Sequence, residues 1–183
     1  MDLTQLLQWV GLGWPVSWLW TTGLAVVWLL LMLAYSPVAD AIASRLVAKP
    51  PTLTAFKPLQ ESALKLVLGI VVAWILGGFL EELIARGIIL QGVEGLLADS
   101  LGRPLASTAA ILIAALIAGA AHLYQGRRAV IIITQLSVLF GILFVVSGYN
   151  LWSVILCHGL YDTVAFVRFA TGKSKYAKQP SEA

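Results

Sequence analysis

The stretch SALKLVLGIVVAWILGGFLEELIARGIILQGVEGLLA, residues 62–98, decides how the chain is read. It is mostly apolar over nearly twice the length of one bilayer crossing, which needs about 20 residues. Its centre nevertheless carries Glu81, Glu82 and Arg86. Two placements compete. A span over 64–80 leaves the carboxylates at the far surface. A crossing over about 71–97 holds them inside the membrane, with residues up to Ile70 in the interface, Glu61 and Lys65 wet, and Gly77-Gly78 as a bend.

Outward from this stretch the chain stays apolar. Of its 183 residues, 60% are hydrophobic and only 11% charged. Soluble domains carry roughly 25% charged residues, so the chain belongs in lipid. Residues 1–15, with Trp9, Trp14 and Pro15, read as interfacial, and a first span covers about 16–35 between Trp18, Trp20 and Tyr35. Residues 36–60 read as a surface loop with a short amphipathic helix at 37–48. Further spans are expected at about 105–124, 129–147 and 151–170, separated by Gly102-Arg103-Pro104, Gly126-Arg127-Arg128 and Ser147-Gly148-Tyr149-Asn150. Lengths near 20 suit helices and not barrel strands. The expectation is an all-α, polytopic membrane bundle of about five helices, one domain over residues 1–170, and a polar tail over 171–183.

Arg45, Lys49, Lys57, Lys65, Arg127, Arg128, Arg168, Lys173, Lys175 and Lys178 fall on one side of these alternating spans, and only Arg103 on the other. The positive-inside rule then predicts an integral membrane protein with its N-terminus outside and its C-terminus cytoplasmic. The N-terminal run lacks a basic start, so it reads as a retained span and not a signal peptide. Basic residues are few and scattered, which argues against nucleic acid. The single Cys157 allows no internal disulfide and reads as packing.

Ionisable residues within spans are functional candidates when a partner can be named. Glu82 and Arg86 are four apart, in the favourable order for an ion pair. Glu81 is rotated about 100° from Glu82 and is left over, as a general base in low dielectric would be. The same stretch also fits a structural pair beside an interfacial glutamate. His122, in GAAHLYQG, fits a packed or interfacial histidine as well as a functional one. His158 and Asp162, in CHGLYD, share a helix face, and an Asp there can orient the ring or simply form a structural hydrogen bond. Converging, the groups could activate water and stabilise an oxyanion. Depth favours the crossing at 71–97, because only then does Glu81 reach the level of the histidines. No His-Glu-x-x-His, Gly-x-Ser-x-Gly or phosphate-binding glycine loop occurs, although Glu81, Glu82, His122, His158 and Asp162 remain acceptable metal ligands.

The set of three motifs resembles the CAAX-protease and bacteriocin-processing (Abi) family, over about residues 70–165. EELIAR is similar to that family's Glu-Glu-x-x-x-Arg; AGAAH matches its Phe-x-x-x-His with Ala118 in place of Phe; HGLYD matches its His-x-x-x-Asn/Asp. The resemblance implies an intramembrane glutamic protease of a prokaryotic plasma-membrane type, without implying a prenylated substrate. It implies Glu81 as the base, His122 as a holder of the water, His158 with Asp162 at the oxyanion, and Glu82–Arg86 as the supporting pair. It implies a peptide or protein substrate in the lipid bilayer and no cofactor, and leaves any partner subunit open. Competing readings are a non-catalytic immunity or scaffold protein, and a metal-dependent membrane hydrolase.

Overall fold

In the computed structural model residues 2–177 are described. Lys178 and the rest of the expected tail to residue 183 lie outside the described residues. The described chain is all helical, with no strand, and five of its helices are long and apolar enough to cross a membrane. We number six helices: α1 (Leu3–Trp9), α2 (Trp18–Leu46), α3 (Ala63–Leu101), α4 (Arg103–Ala121), α5 (Arg127–Val146) and α6 (Leu151–Ala170).

The first span does not stop near Tyr35. Helix α2 runs 29 residues through Pro37 to Leu46, so no separate helix occupies 37–48. Proline inside a helix removes a backbone hydrogen bond, and tertiary contacts on both sides of it carry the helix on. Trp28 Nε1 donates to Leu139 O (3.0 Å), Tyr35 OH to Gln135 Oε1 (3.0 Å), and Ser36 Oγ meets Tyr161 OH at 2.5 Å. Beyond the proline, Asp40 is buried against Arg128 of α5.

Helix α3 is continuous over 39 residues. A straight α-helix of that length spans about 58 Å, against about 30 Å of hydrocarbon. It therefore tilts or projects. The exposed Glu61–Lys65 ion pair straddles its N-terminal end.

Helix α4 packs on α5 by close approach at Gly119, against Thr134 and Val130, and at Gly141, against Ile111. Ala106, Ala110, Ala114 and Ala118, one small residue per turn of α4, are all buried. Small residues let membrane helices approach closely, where van der Waals contact replaces the hydrophobic drive available in water. The core between α2, α5 and α6 is filled by Met32, Leu143, Phe144, Leu151 and Val154. Cys157 is buried there with its Sγ 3.9 Å from Met32 Sδ, as its reading as a packing residue requires.

The two ends of the bundle differ. At one, α1 caps the helices: Leu151 N donates to Gly11 O (2.8 Å), and Gln91 reaches Trp9 O. Glu94 accepts there from Ser107 Oγ and Tyr149 OH, both 2.8 Å. Burial pushes the Tyr149 phenol above its usual pKa, which keeps it a donor. The other end gathers the basic segments. Thr52 N donates to Gln125 O (2.8 Å), and Gln60 Nε2 donates to Phe169 O and Ala177 O.

Candidate active site

The middle of α3 departs from ordinary winding. Trp74–Glu81 and Leu83–Leu90 form π-type turns, with backbone bonds running i→i+5. Such turns are rare and concentrate at functional sites. Here the first ends on Glu81, and the two flank Glu82. Two close approaches bring α6 against this segment. Gly159 admits the Trp74 ring, whose Nε1 donates to Thr163 Oγ1 at 3.0 Å. A Cβ at Gly77 would lie 2.9 Å from Asp162 Oδ2 and 3.4 Å from His158 Nε2. The missing side chain at Gly77 is thus the space the histidine and aspartate occupy.

Glu82 and Arg86 sit fully inside the bundle, at 0% and 1% exposure. Arg86 Nη1 lies 3.1 Å from Glu82 Oε1 with hydrogen-bond geometry, and 3.0 Å from Oε2 as an ion pair only. Its Nη2 donates to Ser137 O (2.8 Å) and Ser137 Oγ (2.6 Å) on α5. Glu82 Oε1 also meets His158 Nδ1 at 2.5 Å. A carboxylate paired with an arginine only accepts, so Nδ1 carries a proton and the ring's orientation is set from α3. Phe140 of α5 stacks on the His158 ring (centroids 4.7 Å apart) and lies under the Arg86 guanidinium at 5.4 Å. Three helices are tied through one buried network whose charges are matched, as burial demands.

Glu81 faces elsewhere. Its Oε2 lies 3.9 Å from His122 Nε2, and both side chains are partly exposed, at 28% and 21%. His122 is not inside its span. It caps α4, which ends at Ala121, and a short 3-10 turn over Leu123–Gln125 leads to Gly126 at φ +93°. Its Nδ1–H donates to Ala118 O (2.9 Å). A carbonyl only accepts, so in the neutral ring Nε2 is left as the acceptor facing Glu81. His158 Nε2 is 3.5 Å from Asp162 Oδ2. Glu81 lies within electrostatic reach of both His158 and Asp162.

A cleft of about 280 Å³ opens beside Glu81 and His122, between α3 and α4. Ala85, Ala118 and Ala121 leave the space, while Leu76, Leu80, Ile84 and Ile117, each roughly half exposed, form its lips. The cleft therefore opens sideways, through apolar residues, and not only along the bundle axis.

The structure brings all six residues singled out by sequence into this one region. It adds three partners that spacing does not show: the Glu82–His158 hydrogen bond, Ser137 behind Arg86, and Phe140 on His158. Among the described residues no three His, Cys, Asp or Glu side chains are arranged to hold a metal ion.

The family model for type II CAAX prenyl endopeptidases, Rce1-like, matches residues 63–164. The chain belongs to that family. The matched segment begins at the first residue of α3 and ends within α6, so it contains the whole π-wound segment, His122, and the His158–Asp162 pair. Rce1-like proteins are a protease family, and the apolar helices of this member make it an integral membrane protein. Comparison with curated proteins and with solved structures returns no match.

Proposed function

We propose that this Rce1-like chain is an intramembrane glutamic endopeptidase in which Glu81 activates water. The observation that carries the reading is the 3.9 Å separation of Glu81 Oε2 and His122 Nε2 at the mouth of the cleft. That distance is too long for a direct hydrogen bond and lets one water touch both groups. The water gives one hydrogen bond to Glu81 and the other to His122 Nε2. Its oxygen attacks the scissile carbonyl carbon as its proton passes to Glu81. In its imidazolium form, His158 offers Nε2–H to the developing oxyanion while Nδ1–H stays on Glu82, and Asp162 balances the charge. Glu81 then returns the proton to the departing amine.

The substrate is a peptide or protein presented in the bilayer. Residues 1–170 form the membrane domain and 171–183 a polar tail on the cytoplasmic side, a reading supported by the collection of basic segments at the end of the bundle where Thr52 meets Gln125. The test is cleavage of a peptide library by the purified, lipid-reconstituted protein. Products should form with the native chain and disappear in both Glu81→Ala and His122→Ala. Activity surviving Glu81→Ala overturns the mechanism. Activity abolished by chelators and restored by a divalent metal would move the reading to a metal-dependent hydrolase.

A further inference from the structure

A second cavity, of about 490 Å³, lies at the basic end of the bundle between α2, α5, α6 and the segment over residues 51–56. Its walls are mostly apolar, among them Leu33, Leu53, Phe56, Ile132 and Phe166. The buried Asp40 also lines it, and the exposed Arg168, Lys173 and Lys175 form its mouth. The charges at this mouth do not cancel. Asp40 is already engaged: it accepts from Arg128 Nε (2.8 Å) and Tyr176 OH (2.6 Å), and it pairs with Lys175. Arg168 and Lys173 are exposed, and neither has a carboxylate partner among the described residues.

An apolar chamber with unmatched cations at its rim fits an amphiphile with a hydrocarbon tail and an anionic head. A polypeptide fits less well, because its backbone groups would need hydrogen-bond partners, and polar groups of these walls are already engaged: Ser36 with Tyr161, Gln125 with Tyr124, and Tyr176 with Asp40. A zwitterionic lipid brings its own cation to a mouth that is already positive. We propose that this cavity binds an anionic phospholipid, with one acyl chain between α2, α5 and α6 and the phosphate on Arg168 and Lys173. The site shares no lining residue with the Glu81 cleft and does not depend on the chain being a protease.

The experiment uses the full-length protein in neutral detergent and follows its thermal unfolding. Phosphatidylglycerol, phosphatidylcholine of the same chains, and inorganic phosphate are titrated separately. Phosphatidylglycerol should raise the midpoint saturably, and the other two should not. Arg168→Gln/Lys173→Gln, at exposed positions, should weaken the apparent affinity roughly thirtyfold, two cations at about 1 kcal/mol each. Arg127→Gln, at the same end but outside the cavity, should bind as the native chain does. Ala165→Phe, which fills the chamber with its mouth intact, should also lose the effect. Equal stabilisation by phosphatidylcholine or by phosphate alone overturns the proposal. So does a full response in Arg168→Gln/Lys173→Gln, or an equal loss in Arg127→Gln, which would mark diffuse surface attraction. If Ala165→Phe does not fold, the comparison of the two charge variants still decides.

Discussion

His158 Nδ1 lies 2.5 Å from Glu82 Oε1, so the carboxylate that pairs with Arg86 on its own helix also fixes a histidine on another. The two adjacent glutamates of α3 therefore have separable tasks. Glu82 is buried among Arg86 and His158, while Glu81 is partly exposed, and in the proposed mechanism only Glu81 reacts.

This division predicts opposite phenotypes for two conservative changes. Glu81→Gln should lower kcat by about 10²- to 10⁴-fold, the usual contribution of a positioned general base. It should leave the unfolding free energy within about 0.5 kcal/mol of the native value, as surface changes do. Turnover and thermal unfolding of the same preparation check both halves.

Glu82→Gln should instead destabilise the fold, by about 3–5 kcal/mol, because it strands the buried Arg86 charge. Removing both charges, as Glu82→Gln/Arg86→Met, should cost less than the sum of the single changes. A double-mutant cycle on unfolding measures this coupling. Additive effects would mean that the two side chains do not act as a pair.

Gly77→Ala sets helix propensity against space. Alanine favours a helix over glycine by about 1 kcal/mol. The new Cβ, however, would stand 2.9 Å from Asp162 Oδ2. The protein should stay folded while activity falls, on the order of 10²-fold if the His158–Asp162 pair moves by about 1 Å. Retained activity would show that the pair tolerates displacement.

Ala118→Phe tests the cleft. The residue is 5% exposed and lines the 280 Å³ space next to His122. Overpacking should cost about 1–3 kcal/mol of stability. Among substrates that differ only beside the scissile bond, kcat/KM should fall most for those with bulky apolar side chains. An unchanged ranking would mean that the cleft does not receive that side chain.

The helical bundle was legible because each crossing leaves a run of apolar residues near the right length, broken by glycine, proline or charge. The end of α2 was not. Pro37 and Asp40 look like the start of a loop, and only contacts distant in sequence, such as Tyr35 with Gln135 and Asp40 with Arg128, carry the helix past them. The Glu82–Arg86 pair was readable because its partners are four apart on one helix. The Glu82–His158 bond joins residues 76 apart, and local spacing carries no trace of it. Ser137 was equally hidden, as one of two hydroxyls, with Thr134, in an apolar span. The π winding has no sequence signature beyond Gly77-Gly78, yet it sets where both carboxylates point.

The sideways opening of the Glu81 cleft through Leu76, Leu80, Ile84 and Ile117 governs how any reaction there must be counted. A substrate arriving between those side chains is dissolved in the membrane, a two-dimensional solvent. Its relevant concentration is its mole fraction among the lipids, not its molarity in the aqueous phase. Turnover should then fall when inert lipid is added at constant total substrate, and stay constant when only the volume of buffer is increased.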